Sequence, residues 1–344
     1  MNSEEREVSK LKAYFLELRA PFLTASISPV LLGTAIAWAL TGIFLIDVFL
    51  LTLIAGVCLH IGANVSNDYF DHTTDNTGSD DINTEFVRPF TGGSRMIQLG
   101  YLSPREVLTE AFVFFGIAGA IGVYLAFTRG FLILVLGIIG AGSGFFYTAP
   151  PFRFVKRGIG EVFIGLNFGV LMTFGSYYVQ ALDIALEPIL ASVPTALLIA
   201  AVLYINEFPD FIADRDSGKR TIVVRLGRAR AAKGYALIIA ITFSWIVICV
   251  LMQLISYESL LALTLLPIGY VGVRTALKEY DTPNRMVPAN AATVLLHLLI
   301  TLYLTSAYIL KGFMVDFLIL IVAGVIMLLI CFTQYRTLIR PPPA

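Results

Sequence analysis

Residues 50–75 read LLTLIAGVCLHIGANVSNDYFDHTTD, an uncharged apolar run that ends abruptly in Asn and Asp. An apolar run of this kind is stable in a bilayer only when it closes its own backbone hydrogen bonds, so it predicts a membrane helix. At its end Asn67, Asp71 and Asp75 follow one another at intervals of four. On a helix that spacing stacks them on one face, and His60 and Asn64 extend the same face back into the apolar part. Residues 196–219, ALLIAAVLYINEFPDFIADRDSGK, have the same form, with Asn206, Asp210 and Asp214 at the same intervals. Glu207 and Asp216 add carboxylates, and Pro209 predicts a kink or a restart of the helix where the acidic motif begins.

The rest of the chain supports this reading. It has 344 residues, 57% hydrophobic and only 14% charged, too few charges to cover a soluble protein of this size. A window of about 19 residues, the length that crosses the hydrocarbon core, picks out ten candidate spans. They run near 22–42, 45–68, 104–127, 130–148, 159–181, 188–208, 234–255, 258–277, 287–310 and 313–335. The predicted fold class is therefore all-α, a polytopic membrane bundle of nine to ten helices. Residues 1–21, charged and amphipathic without a cleavable leader pattern, predict an interfacial helix ahead of a membrane domain at 22–310. Residues 311–344 then form an additional C-terminal span and a short tail.

With ten spans, every Lys and Arg except Arg129 and Lys311 falls in alternate connections on the side of the N-terminus. The positive-inside rule then puts both termini and the long loops, about 69–103 and 209–233, in the cytoplasm of a multi-pass cell-membrane protein. Formal net charge is zero, which argues against nucleic acid as a partner. Cys58, Cys249 and Cys331 lie far apart in apolar stretches and read as packing residues.

Rows of carboxylates repel one another, so two such rows at membrane helix ends call for cations. Oxygen-only ligands select Mg²⁺ or Ca²⁺ over zinc, and Mg²⁺ fills its remaining positions with water and phosphate oxygens. The expected metal-binding set is Asn67, Asp71, Asp75, Asn206, Asp210 and Asp214, with a diphosphate between the two clusters. Arg88, Arg95, Lys156, Lys219 and Arg220 are the basic residues available for its oxygens. An ion-coupled transporter is the competing class. Its carboxylates would be expected near the bilayer midplane on broken helices, whereas these sit at helix ends beside basic residues.

At these residues the chain resembles the UbiA superfamily of intramembrane prenyltransferases, and within it the branch that prenylates 1,4-dihydroxy-2-naphthoate in menaquinone synthesis. The likeness covers roughly 19–310. It rests on NDYFDHTTD at 67–75, RPFTGGSRMIQLGYLSPRE at 88–106, YTAPPFRF at 147–154, GIGEVFIGLNFG at 158–169 and DFIADRDSGKRTIVVRLG at 210–227. The family usually has nine spans, so 313–335 is either an addition or not a span, and Glu207 stands where this branch often has a second Asn. The resemblance implies a polyprenyl diphosphate donor and an aromatic acceptor, with Mg²⁺ drawing charge from the diphosphate. Asn67, Asp71, Asp75, Asp210 and Asp214 would hold the metal. Lys156, Lys219 and Arg220 would stabilise the departing diphosphate, and Tyr147 would either face the allylic cation or pack within the bundle. Relatives that use another aromatic or lipid acceptor keep the acceptor open.

Other polar residues divide between site and scaffold. Asn64 and Glu161 are candidates for substrate contact, Glu161 also being suited to the N-terminus of its helix. His60 and Asn167 either reach the substrate or hydrogen-bond within the bundle. His72 reads as a solvated end residue, and His297 as a neutral histidine paired with a nearby backbone or hydroxyl oxygen. The basic run Arg225–Lys233 predicts an anchor to anionic lipid.

Overall fold

A computed structural model describes residues 9–73 and 93–314, with residues 322, 324–326, 329 and 330 beyond them. Asp75, Arg88, Cys331 and most of the expected tenth span lie outside the described residues. Within them the chain is helical and contains no strand.

The short helix α1 (Lys10–Glu17) leads through a 3₁₀ turn into α2 (Thr24–Thr41). Then follow α3 (Ile46–Thr73), α4 (Pro104–Arg129) and α5 (Leu132–Phe145). Next come α6 (Gly160–Ala181) and α7 (Glu187–Asp216). The short α8 (Ile222–Leu226) and the long α9 (Arg228–Leu251) continue the chain. A 3₁₀ stretch, Tyr257–Leu265, feeds α10 (Leu266–Glu279), and α11 (Val287–Gly312) closes the described part. The first nine expected spans each correspond to a helix. Eight of these helical segments are long and apolar enough to cross a membrane. The fourth, α5, has 14 residues and reaches only about 21 Å at 1.5 Å per residue.

Local signals explain where several helices begin. Ser103 accepts from Glu106 N while the Glu106 carboxylate accepts from Ser103 N, a capping box with Pro104 in the first turn of α4. In α6 the ladder slips into a π turn over Leu166–Leu171. Such turns rotate the side chains around them, and here the turn carries Asn167 and Phe168 on the wall of the central cavity.

The bundle has two unlike halves. On one side α2, α7, α9, α10 and α11 share a large apolar core that includes Leu32, Leu198, Phe208, Ile246, Ile268, Leu296 and Leu304, all fully buried. On the other side α2 to α7 surround a cavity of about 370 Å³. α7 is the most buried of the spans and belongs to both halves; α4, the least buried, turns Phe112, Val113, Tyr124 and Phe127 outward. Outward apolar side chains of this kind are what lipid accepts.

Two sequence expectations change here. Residues 209–233 are mostly helix rather than loop: α7 runs on to Asp216, and α8 and α9 fill most of the rest. Nor does Pro209 restart the helix, because α7 continues through both Pro194 and Pro209. Proline has no N–H for the carbonyl of Ile205 four residues back. Asn290 of α11 supplies a donor instead, its Nδ2 lying 3.3 Å from that oxygen.

Candidate active site

The end of α3 and the end of α7 meet at one mouth of the cavity. Asn64, Asn67 and Asp71 line it from α3, and Asn206, Glu207, Asp210 and Asp214 line it from α7. Both motifs therefore lie at helix C-termini, where the backbone dipole is already negative and further anions are disfavoured. A cation compensates. The Lys219 ammonium is 3.9 Å from Asp71 Oδ2 and 3.8 Å from Asp214 Oδ1, joining the two motifs. It is held there by a turn: Lys219 N donates to Asp214 O at 2.7 Å, and Gly218 takes a φ of +74°, which glycine adopts without strain. The same turn sends Lys219 inward and leaves Arg220 exposed.

The two asparagines at equivalent positions differ. Asn206 Oδ1 accepts from Asn290 Nδ2 at 2.6 Å. Asn67 Oδ1 is buried and has no hydrogen-bond partner. The Glu207 carboxylate, buried on the cavity wall, has only the Glu161 carboxylate beside it as a possible hydrogen-bond partner. Leaving such groups unsatisfied is costly, so they mark positions where a ligand, ion or water completes the site.

Asp68, beside the first motif, is occupied elsewhere. Its Oδ2 accepts from Ser94 N at 2.7 Å, and Arg19 Nη1 is 3.7 Å from its Oδ1. Ser94 also donates to the fully buried Glu17, so α1 and the 93–102 segment are tied over the end of α3. Arg19 and Gly93 reach the cavity wall. These contacts were not foreseen from sequence, because none of the residues belongs to a repeated spacing.

Tyr147 lines the same mouth. Its ring packs against Gly160, where a Cβ would meet Cε2 at 3.0 Å and the hydroxyl at 3.3 Å. Burial holds its hydroxyl well above the usual tyrosine range, so it remains a phenol and a hydrogen-bond donor. Lys156 sits on the adjoining segment, near enough to Asp71 to interact electrostatically.

Other expected residues fall outside the cavity wall. Glu161 is buried, with Oε1 accepting from Ile222 N at 2.9 Å, so its visible task is to join α6 to the start of α8. Arg95 is half-buried in the segment ahead of α4, with a φ of +64°. Asn167 does line the cavity, accepting from Ser143 Oγ at 2.9 Å. The basic run is partly used by the protein itself. Arg225 donates to Arg157 O at 2.7 Å and Arg220 O at 2.9 Å, and Arg228 donates to Phe208 O at 3.3 Å. His297 is buried, and its Nε2 has no hydrogen-bond partner among the described residues.

Among the described residues no three His, Cys, Asp or Glu side chains close into a preformed metal cage. Mg²⁺ does not require one, since it typically takes one or two carboxylates and completes its shell with water and phosphate. The oxygen-only donor set, the unpartnered Asn67 Oδ1 and the cation already drawn between Asp71 and Asp214 fit such an ion.

The sequence matches the UbiA prenyltransferase family over residues 26–286. A 1,4-dihydroxy-2-naphthoate octaprenyltransferase of Escherichia coli is 31% identical, the alignment covering 84% of this chain and 92% of that protein. The protein of the same name from Bacillus subtilis is 29% identical over 65% of this chain and 69% of its own length. A 2-carboxy-1,4-naphthoquinone phytyltransferase of Synechocystis is 26% identical over 86% and 93%. In three dimensions, a UbiA homologue of Archaeoglobus fulgidus bound to DMAPP and Mg²⁺ superposes with a TM-score of 0.57 at 17% identity, over 86% of this chain and 98% of that one. The chain belongs to the UbiA prenyltransferase family and is a multi-pass membrane enzyme that transfers prenyl groups.

Proposed function

We propose that the protein transfers a polyprenyl group from its diphosphate to 1,4-dihydroxy-2-naphthoate, with Mg²⁺ as cofactor and loss of diphosphate and CO₂, giving a demethylmenaquinol. The observation that carries this reading is Lys219, whose single ammonium lies between Asp71 of one motif and Asp214 of the other. Two acidic helix ends that share one cation across a cavity mouth suit a polyanion held by metal far better than a transport path at mid-membrane. The naphthoate acceptor is supported by the names of the relatives in Escherichia coli and Bacillus subtilis.

Asn67, Asp71, Asp210, Asp214 and Asn206 would hold the metal, with Asp75 completing the first motif. Bound there, Mg²⁺ supplies Lewis-acid charge that lowers the cost of diphosphate departure. Lys219 and Lys156 stabilise the negative charge that grows on the diphosphate as the carbon–oxygen bond breaks, with Arg88, Arg95 and Arg220 as outer basic groups. Tyr147 presents its ring and neutral hydroxyl to the allylic cation left behind. Ala25, Val30, Leu59, Leu136 and Met172 line the apolar part of the cavity and receive the isoprenoid tail, each buried CH₂ contributing about 0.8 kcal/mol. The electron-rich ring carbon that bears the acceptor's carboxylate attacks the cation. Loss of the carboxylate as CO₂ then restores the aromatic ring.

The basic residues on the motif side support a cytoplasmic position for that mouth, both termini and the long connections. Residues 22–310 form the catalytic membrane domain, preceded by an interfacial helix and followed by an added span. Membranes containing the protein, supplied with labelled geranylgeranyl diphosphate, Mg²⁺ and dihydroxynaphthoate, are expected to yield a prenylated naphthoquinol together with CO₂. Turnover of a different acceptor without CO₂ release would instead assign the enzyme to another branch of the family.

A further inference from the structure

His60 is buried in α3 two helical turns before Asn67, and its ring lines the cavity. At 1.5 Å per residue this places it about 10 Å along α3 from Asn67. The ring is fixed from two sides. The edge-to-face contact with Phe168 of the π turn sets its plane, with centroids 4.5 Å apart. Nδ1 lies 3.1 Å from Ser26 Oγ on α2.

The second contact bears on the tautomer. The Ser26 hydroxyl has one proton, within reach of both Leu23 O at 2.9 Å and His60 Nδ1. When it goes to Leu23 O, Nδ1 carries the ring proton and donates it to Ser26, and Nε2 is left with a lone pair. Among the described residues the bond to Ser26 is the ring's only hydrogen bond, so Nε2 has no protein partner. An imidazole held in this way presents a hydrogen-bond acceptor to the cavity two helical turns before Asn67.

We propose that His60 Nε2 accepts the hydrogen bond of a hydroxyl group on the aromatic acceptor, selecting hydroxylated rings and raising their electron density for attack. The inference rests on the proposed function and adds to it a residue that reads the acceptor rather than the diphosphate. A hydroxyl that donates to a strong acceptor pushes electron density into its ring, and a site built around that bond rejects analogues that cannot make it. Ser26 is a positioning residue, acting only through the tautomer.

The test compares dihydroxynaphthoate with its two monomethyl ethers, in wild-type protein and in His60→Leu, His60→Gln and Ser26→Ala. Wild type is expected to disfavour one ether by about a hundredfold or more in kcat/KM, as sites built around a substrate hydroxyl do. His60→Leu should shrink that preference to within about threefold, by lowering turnover of the diol, while the affinity for a non-reactive thiodiphosphate donor analogue stays unchanged. His60→Gln retains an acceptor at similar reach and should restore most of the preference. Ser26→Ala, which frees the tautomer, should lose part of it. Full discrimination in His60→Leu would overturn the inference. An equal loss of donor-analogue affinity would overturn it as well, since His60 would then be a packing residue. If wild-type protein converts no dihydroxynaphthoate at all, the proposed function fails first; if it does and His60→Leu matches it, only this inference fails.

Discussion

The two acidic motifs share one spacing and one end of the bundle, yet the protein treats them differently. At the end of α3, Asn67 Oδ1 is buried without a partner, while Asp68 takes the contacts to Ser94 and Arg19. At the end of α7, Asn206 is held by Asn290, and Asp214 O accepts from both Lys219 N and Ser217 Oγ. The second motif is thus braced by α11 and by its own following turn. Among the described residues the first is braced through the residue beside it and through the Lys219 that Asp71 shares with the second. Equal spacing therefore does not mean equal duty: the asparagine of one motif is fixed, and that of the other keeps its oxygen open.

The largest effects should follow where the motifs are alike. Asp71→Ala and Asp214→Ala each remove a carboxylate next to Lys219, and each should cost prenyl transfer a factor of about 10³, or roughly 4 kcal/mol of transition-state stabilisation. Labelled product formation would measure the loss, and the melting temperature in detergent would show that the bundle persists. Chelation gives a matching result: excess EDTA should abolish transfer and added Mg²⁺ restore it. Full activity in EDTA would remove the metal from the proposed function.

Next come the two asparagines, where the motifs differ. Asn67→Ala breaks no hydrogen bond of Oδ1 within the protein, so transfer should fall about 10- to 100-fold, as for a lost metal-site contact, with the melting temperature unchanged. Asn206→Ala leaves a buried Asn290 amide without its short partner and should destabilise the fold by about 1–3 kcal/mol in addition to lowering transfer. Equal thermal effects from the two substitutions would erase the distinction between fixed and open asparagine.

Much of this arrangement could be read from the chain, for identifiable reasons. A four-residue interval of Asn and Asp after an apolar run is a local pattern, and local patterns survive folding. That Lys219 rather than Arg220 turns inward depends on the left-handed turn at Gly218, whose register sequence does not specify. Pro209 announced a broken hydrogen bond, but not that α7 would continue because a side chain from α11 replaces the missing donor. Asn290 is one of several polar residues in a mostly apolar helix, a signal that it bonds to a neighbour without saying which. Glu161 looked suited to substrate or to its own helix N-terminus. Its partner, Ile222 N, lies 61 residues further along the chain.

The smallest expected effect tests the brace most directly. Asn290 Nδ2 serves two acceptors, Asn206 Oδ1 at 2.6 Å and Ile205 O at 3.3 Å. The second needs it only because Pro209 has no N–H. Pro209→Ala returns that donor to the helix, after which Ile205 O no longer depends on α11. Asn290→Ala should therefore be about 0.5–1 kcal/mol less destabilising in a Pro209→Ala background than alone, a coupling that thermal unfolding of the four proteins can resolve. Strict additivity would mean that the carbonyl freed by Pro209 draws nothing from Asn290. The brace would then consist of the Asn206–Asn290 bond alone, and the proline would matter to the second motif only through the shape it gives α7.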